Sequence, residues 1–232
     1  MKKFLSTLLV ISLLIVSVTT IKTYAATNDY PDYARLTIFA YYDPDAEDPN
    51  SSSSSITNTG HAFIAIENFS GRRINAGKMA LNDLEAATIG TWSLESSGSI
   101  PGHTGVWYNL EMDYLFRNDT NHFHSVSMEI NQTQLSALNS FIQSRDSWSL
   151  INNCSTFARD AWNLLNPDNE LSTGFPSTPT RLIEAMQELS GYETTFRPIF
   201  KSNKKGFYNE NGSFVSAPWN VWLNTPYQLE TE

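Results

Sequence analysis

The chain contains a single cysteine, Cys154, so no intramolecular disulfide can hold it together and the fold must rest on its own core. The stretch around it, Trp148 to Leu165, carries apolar residues at Phe157, Ala158, Ala161, Trp162 and Leu165. That recurrence predicts a helix with one buried stripe, and Cys154 begins it. Asn152 and Asn153 precede it, and asparagine is a preferred N-cap because its side-chain oxygen accepts an orphan N–H of the first turn. A helix N-terminus carries roughly half a positive charge, which favours thiolate over thiol. The same position also suits a cysteine that packs as a small hydrophobe. The rest of the chain decides between the two readings.

Lys2 and Lys3, an apolar run from Phe4 to Val18 and the small residues near Ala25 and Ala26 follow the order of a secretory signal peptide. We read 1–25 as that peptide, 26–34 as a linker, and 35–232 as one domain with a C-terminal extension from about residue 195. The mature protein is then secreted, with no later stretch apolar enough to span a membrane. A thiol kept in an oxidising compartment without a partner risks oxidation, and reactivity is one reason to keep it. The net charge of −9 becomes more negative once Lys2, Lys3 and Lys22 leave with the signal. Such a surface repels phosphate backbones and anionic headgroups, so nucleic acid is excluded as a partner.

A strand over Arg35–Tyr42 is followed by the acidic, serine-rich loop 43–55, whose spacing lacks the glycine and distal glutamate of a calcium loop. Thr59 to Asn68 reads as a strand with little water on either side, opened by Gly60 and His61. Arg73–Ala76 is its expected returning partner, which would set Asn75 or Arg73 beside the His61 strand. Leu81–Ala87 reads as a short helix, and Val106–Leu110 as a strand with His103 at its entrance. Phe123–Ile130 is a further strand. Its neighbours His122 and His124 share a side, but no third ligand at a familiar zinc spacing joins them. Asn131 to Gln134 forms a capping box ahead of a helix. Thr178-Pro179 opens another, with Leu182, Ile183, Met186 and Leu189 inward and Gly191 as its stop. Phe196–Phe200 and Phe207–Val215, turning at Asn211-Gly212, read as a late strand and hairpin. The fold class is α+β, an antiparallel sheet packed against the cysteine helix and two further helices.

A thiolate that attacks a carbonyl needs a base, a group that orients the base, and donors for the oxyanion. Cys154 is the candidate nucleophile and His61 the candidate base; Asn75 and His103 both stand as candidate orienters. The backbone N–H of Cys154 is a natural oxyanion donor. No Gly-x-Ser-x-Gly, His-Glu-x-x-His or phosphate-cradling loop occurs, and no cofactor or metal is called for.

Gly60-His61-Ala62-Phe63-Ile64, followed by Trp148 and by Asn152-Asn153-Cys154-Ser155-Thr156-Phe157-Ala158, resembles the circularly permuted NlpC/P60 group of the papain-like cysteine peptidase superfamily. The match covers roughly Arg35 to Leu165. The resemblance implies a papain-like fold, Cys154 as nucleophile, His61 as base and a polar residue of the following strand as orienter, where Asn75 is best placed. That third residue is often a histidine in the group, and neither Arg73 nor Asn75 is one, so His103 stays open beside Asn75. The implied activity is hydrolysis of an amide bond in a peptide or in cell-wall peptidoglycan. Acyl transfer or thioester hydrolysis by the same dyad is an alternative, and a binding module on the same fold, using aromatics such as Trp107, Trp219 and Trp222, is another.

Overall fold

Alternating apolar residues set the frame. In β1 (Ala34–Tyr41) and β2 (His61–Asn68), Leu36, Ile38 and Ala40 face the same core as Ala62, Ile64 and Ile66, because successive side chains of a strand point to opposite faces. The computed structural model describes residues 33–41, 60–94, 96, 101–111, 123–195 and 204–217. The expected signal peptide, most of the linker, the acidic loop, His122, the strand at Phe196–Phe200, and Trp219 and Trp222 lie outside these residues.

Seven strands form one sheet in the order β7 (Phe123–Ile130), β1, β2, β5 (Ala86–Leu94), β6 (His103–Tyr108), β8 (Gly206–Tyr208), β9 (Phe214–Ser216). Each of these pairings is antiparallel. Every residue of β2 is buried, as befits a strand between two neighbours and under cover on both faces. On one face lie α1 (Gln132–Ser144), α2 (Cys154–Leu165) and α3 (Pro179–Gln187), which contribute Leu138, Phe157, Trp162 and Leu182 to the core. On the other, Phe39, Phe63 and Phe123 cluster, with the first two rings stacked at 5.1 Å. The described residues are therefore α+β, with an antiparallel sheet and three α-helices.

The helix starts follow the capping residues. Asn131 and Gln134 form the reciprocal capping box of α1, Asn153 caps α2, and Thr178 with Pro179 opens α3. The end of α3 differs from expectation. It stops at Gln187, and Gly191 lies further on in a turn at φ +84°.

Two local expectations are corrected. Ile74–Ala76 (β3) does not return along β2 but pairs with β4 (Met79–Leu81) in a separate two-stranded sheet; the neighbour of β2 is β5. Asn68 decides this. Fully buried, it donates from Nδ2 to the carbonyls of Arg72 (2.7 Å), Leu81 (3.3 Å) and Asn82 (2.8 Å), and its Oδ1 accepts from Ser70 N. The chain is thus tied into an excursion before it rejoins the sheet. The helix read at Leu81–Ala87 is absent, because Leu84 adopts φ +62° and Ala86 to Thr91 are buried on both faces of a central strand. A strand apolar on both faces has no period of two to read. The hairpin at 207–215 forms as expected, turning at Gly212 (φ +74°), and it joins the main sheet through Gly206 opposite Tyr108.

Asn68→Ala removes one donor group that satisfies three carbonyls. We expect a loss of about 2–3 kcal/mol, read as a lower urea midpoint with an unchanged m-value; an unaltered midpoint would contradict the bracing role of this side chain.

Candidate active site

Asn153 places Cys154. Its Oδ1 accepts the N–H of Thr156 at 3.0 Å, and its Nδ2 donates to the carbonyls of Leu150 (3.2 Å) and Ser177 (2.8 Å). Cap, preceding loop and the 171–178 segment are thereby locked at the mouth of α2. The inward stripe Phe157, Ala158, Ala161 and Trp162 then seats the helix against the sheet. Cys154 is half-buried at its first position.

The pairing of β2 with β5 ends at Ile64 opposite Ile89. Beyond that point the backbone N–H of Ala62 and the imidazole of His61 both lie beside the Cys154 sulfur and favour its thiolate. His61 is the first residue of β2 and almost fully buried. By strand alternation its ring belongs to the face of Phe63, and it stacks on Phe63 at 5.8 Å and lies tilted against Trp92 at 3.8 Å. Helix and strand thus bring sulfur and imidazole together where the ladder has stopped.

Behind His61 stands Glu111, fully buried, with Oε1 3.0 Å from His61 Nε2. The same oxygen accepts from Trp92 Nε1 at 2.8 Å, and Oε2 accepts from Thr88 Oγ1 at 2.8 Å. The chain reaches this point by extending the β5–β6 pairing one step further. Asn109 N donates to Thr88 O at 2.9 Å and Asn109 Oδ1 accepts from Thr88 N at 3.0 Å. Asn109 then takes φ +61°, a left-handed conformation that asparagine tolerates better than most residues, and the turn brings Glu111 back over β5.

The electrostatics follow from this packing. For His61, burial is the largest influence and works against charge, but the Cys154 thiolate, by its charge and hydrogen bond, and then Glu111 outweigh it and raise the ring to about 9. For Cys154, burial again works against charge and is outweighed by the His61 cation and by hydrogen bonds from His61 and Ala62, so the thiol falls below its ordinary range. The Ser155 hydroxyl beside it also favours the thiolate, although it is buried without any partner of proper hydrogen-bond geometry. Its influence is thus that of a nearby dipole. Each group thus favours the charged form of the other.

Of the four residues singled out from sequence, the structure brings Cys154 and His61 together and leaves Asn75 and His103 apart from them. Asn75 lies exposed on β3, outside the main sheet, and its backbone carbonyl accepts from Asn139 Nδ2 at 2.9 Å. His103 bonds Asp146 Oδ1 through Nε2 at 2.9 Å and stacks on Phe207 at 4.3 Å. Asp146 also accepts from Val106 N at 2.8 Å. These hydrogen bonds outweigh burial and hold its carboxyl below the usual range. The pair fastens β6 to the segment between α1 and α2, and so steadies the approach to Cys154.

Glu111 and Trp92 were not singled out from sequence. One signal was present: Glu111 is the first charged residue after the apolar run Val106–Leu110, and a charge carried into a core needs partners.

Among the described residues no group of three His, Cys, Asp or Glu side chains could hold a metal ion, and His124 is engaged with the Tyr192 hydroxyl. No described helix is long and apolar enough to cross a membrane. Trp107 is fully buried in the core. Comparison with family models, with curated proteins and with solved structures finds no match to this chain.

Gly90 lies where a Cβ would overlap Glu111 Oε1 and come within 3.1 Å of His61 Nε2 and 3.2 Å of Phe63 Cβ. Wild-type Cys154 is expected to react with iodoacetamide at pH 6, where an ordinary thiol with a pKa of about 8.5 is almost wholly protonated. In Gly90→Ala, that low-pH reactivity should be lost along with about 1–3 kcal/mol of stability. Alkylation rates followed from pH 5 to 10, together with thermal melting, test both statements; a Gly90→Ala protein with the wild-type pH profile would refute the second.

Proposed function

We propose that this protein is a secreted cysteine hydrolase that cleaves an amide bond, in a peptide or in cell-wall peptidoglycan, on a papain-like fold of the permuted NlpC/P60 kind. The observation that carries the proposal is the meeting of the chain's sole thiol with the His61 imidazole, itself backed by a buried carboxylate. Secretion rests on the leader at residues 1–25, and the papain-like assignment on the Asn-Cys-x-x-Phe motif together with the preceding histidine strand.

In this reading the Cys154 thiolate attacks the scissile carbonyl carbon. The oxyanion forms at the N-terminus of α2, where the backbone N–H of Cys154 has no intrahelical acceptor. The His61 imidazolium gives its proton to the departing amine as the C–N bond breaks, leaving a thioester on Cys154 and a neutral ring. That ring then takes a proton from water, the hydroxide oxygen adds to the thioester carbonyl, and the C–S bond breaks to release the acid. Thiolate and imidazolium are restored. Glu111 holds the ring in place through both steps without itself exchanging a proton. An acyl acceptor other than water would turn the same cycle into a transferase. A non-catalytic module gains nothing from a half-buried thiolate set against a charged imidazole.

Cys154→Ala and His61→Ala should each abolish turnover of fluorogenic peptide amides and of purified peptidoglycan fragments. Glu111→Gln should lower kcat on the order of tenfold to a hundredfold, the scale of a lost hydrogen bond to a charged group. Full activity in Cys154→Ala would end the proposal. Product analysis with an added primary amine separates transfer from hydrolysis.

A further inference from the structure

Hydrophobic side chains left in water are common one at a time and informative when they gather on ordered backbone. Of the five large hydrophobic residues exposed among the described residues, Leu84 and Leu164 stand singly, in the turn before β5 and at the far end of α2. The other three, Leu150 (56% exposed), Ile151 (64%) and Phe175 (78%), belong to the two loops that Asn153 ties to the start of α2. Both loops are braced. Asn152 Nδ2 donates to Ser147 Oγ at 3.0 Å, and Thr156 Oγ1 donates to the carbonyl of Ile151 at 3.2 Å. On the other side Thr173 Oγ1 donates to Ser177 Oγ at 2.8 Å, and Arg181 Nη1 donates to the carbonyl of Pro176 at 2.9 Å. Polar groups thus fix the backbone while three apolar side chains are held in water. Resting on the cysteine-hydrolase reading, we propose that Leu150, Ile151 and Phe175 form a recognition rim for a large apolar side chain of a peptide substrate, near the amide that is cleaved.

The surroundings of Phe175 favour a peptide over other ligands with apolar groups. A cleft of about 570 Å³ opens beside it, lined also by Arg181, Glu184 and Ala185 of α3, and this is within the range of small-ligand sites. Among the described residues the Arg181 guanidinium has no carboxylate partner and Glu184 has no cationic one. A hydrocarbon chain laid in the cleft would strip water from both charges and return nothing. A peptide returns amide groups and charged side chains to them. The stem peptides of cell-wall peptidoglycan carry small and charged side chains, so they would suit the cleft but leave the three apolar residues in water. A peptide with a large apolar residue uses both.

Full-length Cys154→Ala protein, which lacks the thiol that cleavage needs, is titrated by fluorescence anisotropy with dye-labelled hexapeptides that carry leucine, phenylalanine or alanine at one varied position. The leucine and phenylalanine peptides should bind on the order of tenfold more tightly than the alanine peptide. That ratio should fall toward one when Phe175→Ser, or Leu150→Ser with Ile151→Ser, is added; side chains this exposed contribute little to folding, which circular dichroism checks. Protein that keeps Cys154 should cleave the same peptides in the same order and in preference to purified peptidoglycan fragments. Equal binding of the leucine and alanine peptides overturns the inference without recourse to any variant. So does a ratio unchanged in the folded variants, or a preference for peptidoglycan fragments. Co-sedimentation with phosphatidylcholine vesicles that is lost in Phe175→Ser would also overturn it, by assigning the rim to lipid. Selective binding by Cys154→Ala, with no peptide cleaved by the protein that keeps its thiol, would instead overturn the hydrolase reading and leave the rim's preference standing.

Discussion

A carboxylate in a dry interior is tolerated only where donors close around it, and Glu111 is fully buried with three of them: His61, Trp92 and Thr88. They come from two strands, His61 from the start of β2 and the other two from β5, so the carboxylate can be satisfied only if those strands hold their observed register. The geometry of the candidate site and the register of the central sheet are thus one constraint. Removing any single donor leaves a buried acceptor short of a partner, which costs more than the hydrogen bond itself contributed.

The thiol side is organised by backbone. Cys154 stands at the first position of a helix whose cap, Asn153, is braced to two separate loops. Its sulfur is met by an N–H of Ala62 beyond the end of the β2–β5 ladder. Sheet edges that expose N–H groups are usually a liability; in this gap the exposed group serves the thiolate. His61 and Cys154 then shift each other, each ion making the other easier to form against a burial that opposes both. His103, by contrast, is spent on Asp146, tying the loop before Cys154 to β6.

Much of this was legible in the chain. The three helix starts follow from Asn131, Asn153 and Thr178, because a cap is a local competition for backbone N–H groups and needs no distant partner. The strand at His61 and the hairpin at Asn211-Gly212 follow from local pattern and turn chemistry in the same way. Asn75 misled because a short return from β2 is the ordinary expectation, and the Asn68 hydrogen bonds that divert the chain are invisible in a linear string. Strand β5 was missed because it is buried on both faces, so neither a period of two nor a period of 3.6 marks it. Glu111 could be noticed as a charge after an apolar run, but not assigned to His61.

By itself, then, the sequence determined that a helix would begin at the only thiol, that a histidine would open a buried strand, and that the molecule would be α+β without disulfides. Those outcomes depend on residues within a few positions of one another, where capping, turn preference and hydrophobic periodicity act. Tertiary structure alone decided that β5 lies beside β2, that Glu111 rather than Asn75 or His103 stands behind His61, and that Trp92 shares its oxygen. The reason is physical: His61, Trp92 and Glu111 lie up to 50 positions apart, and only the register of a closed-up sheet converts that separation into a distance of 3 Å.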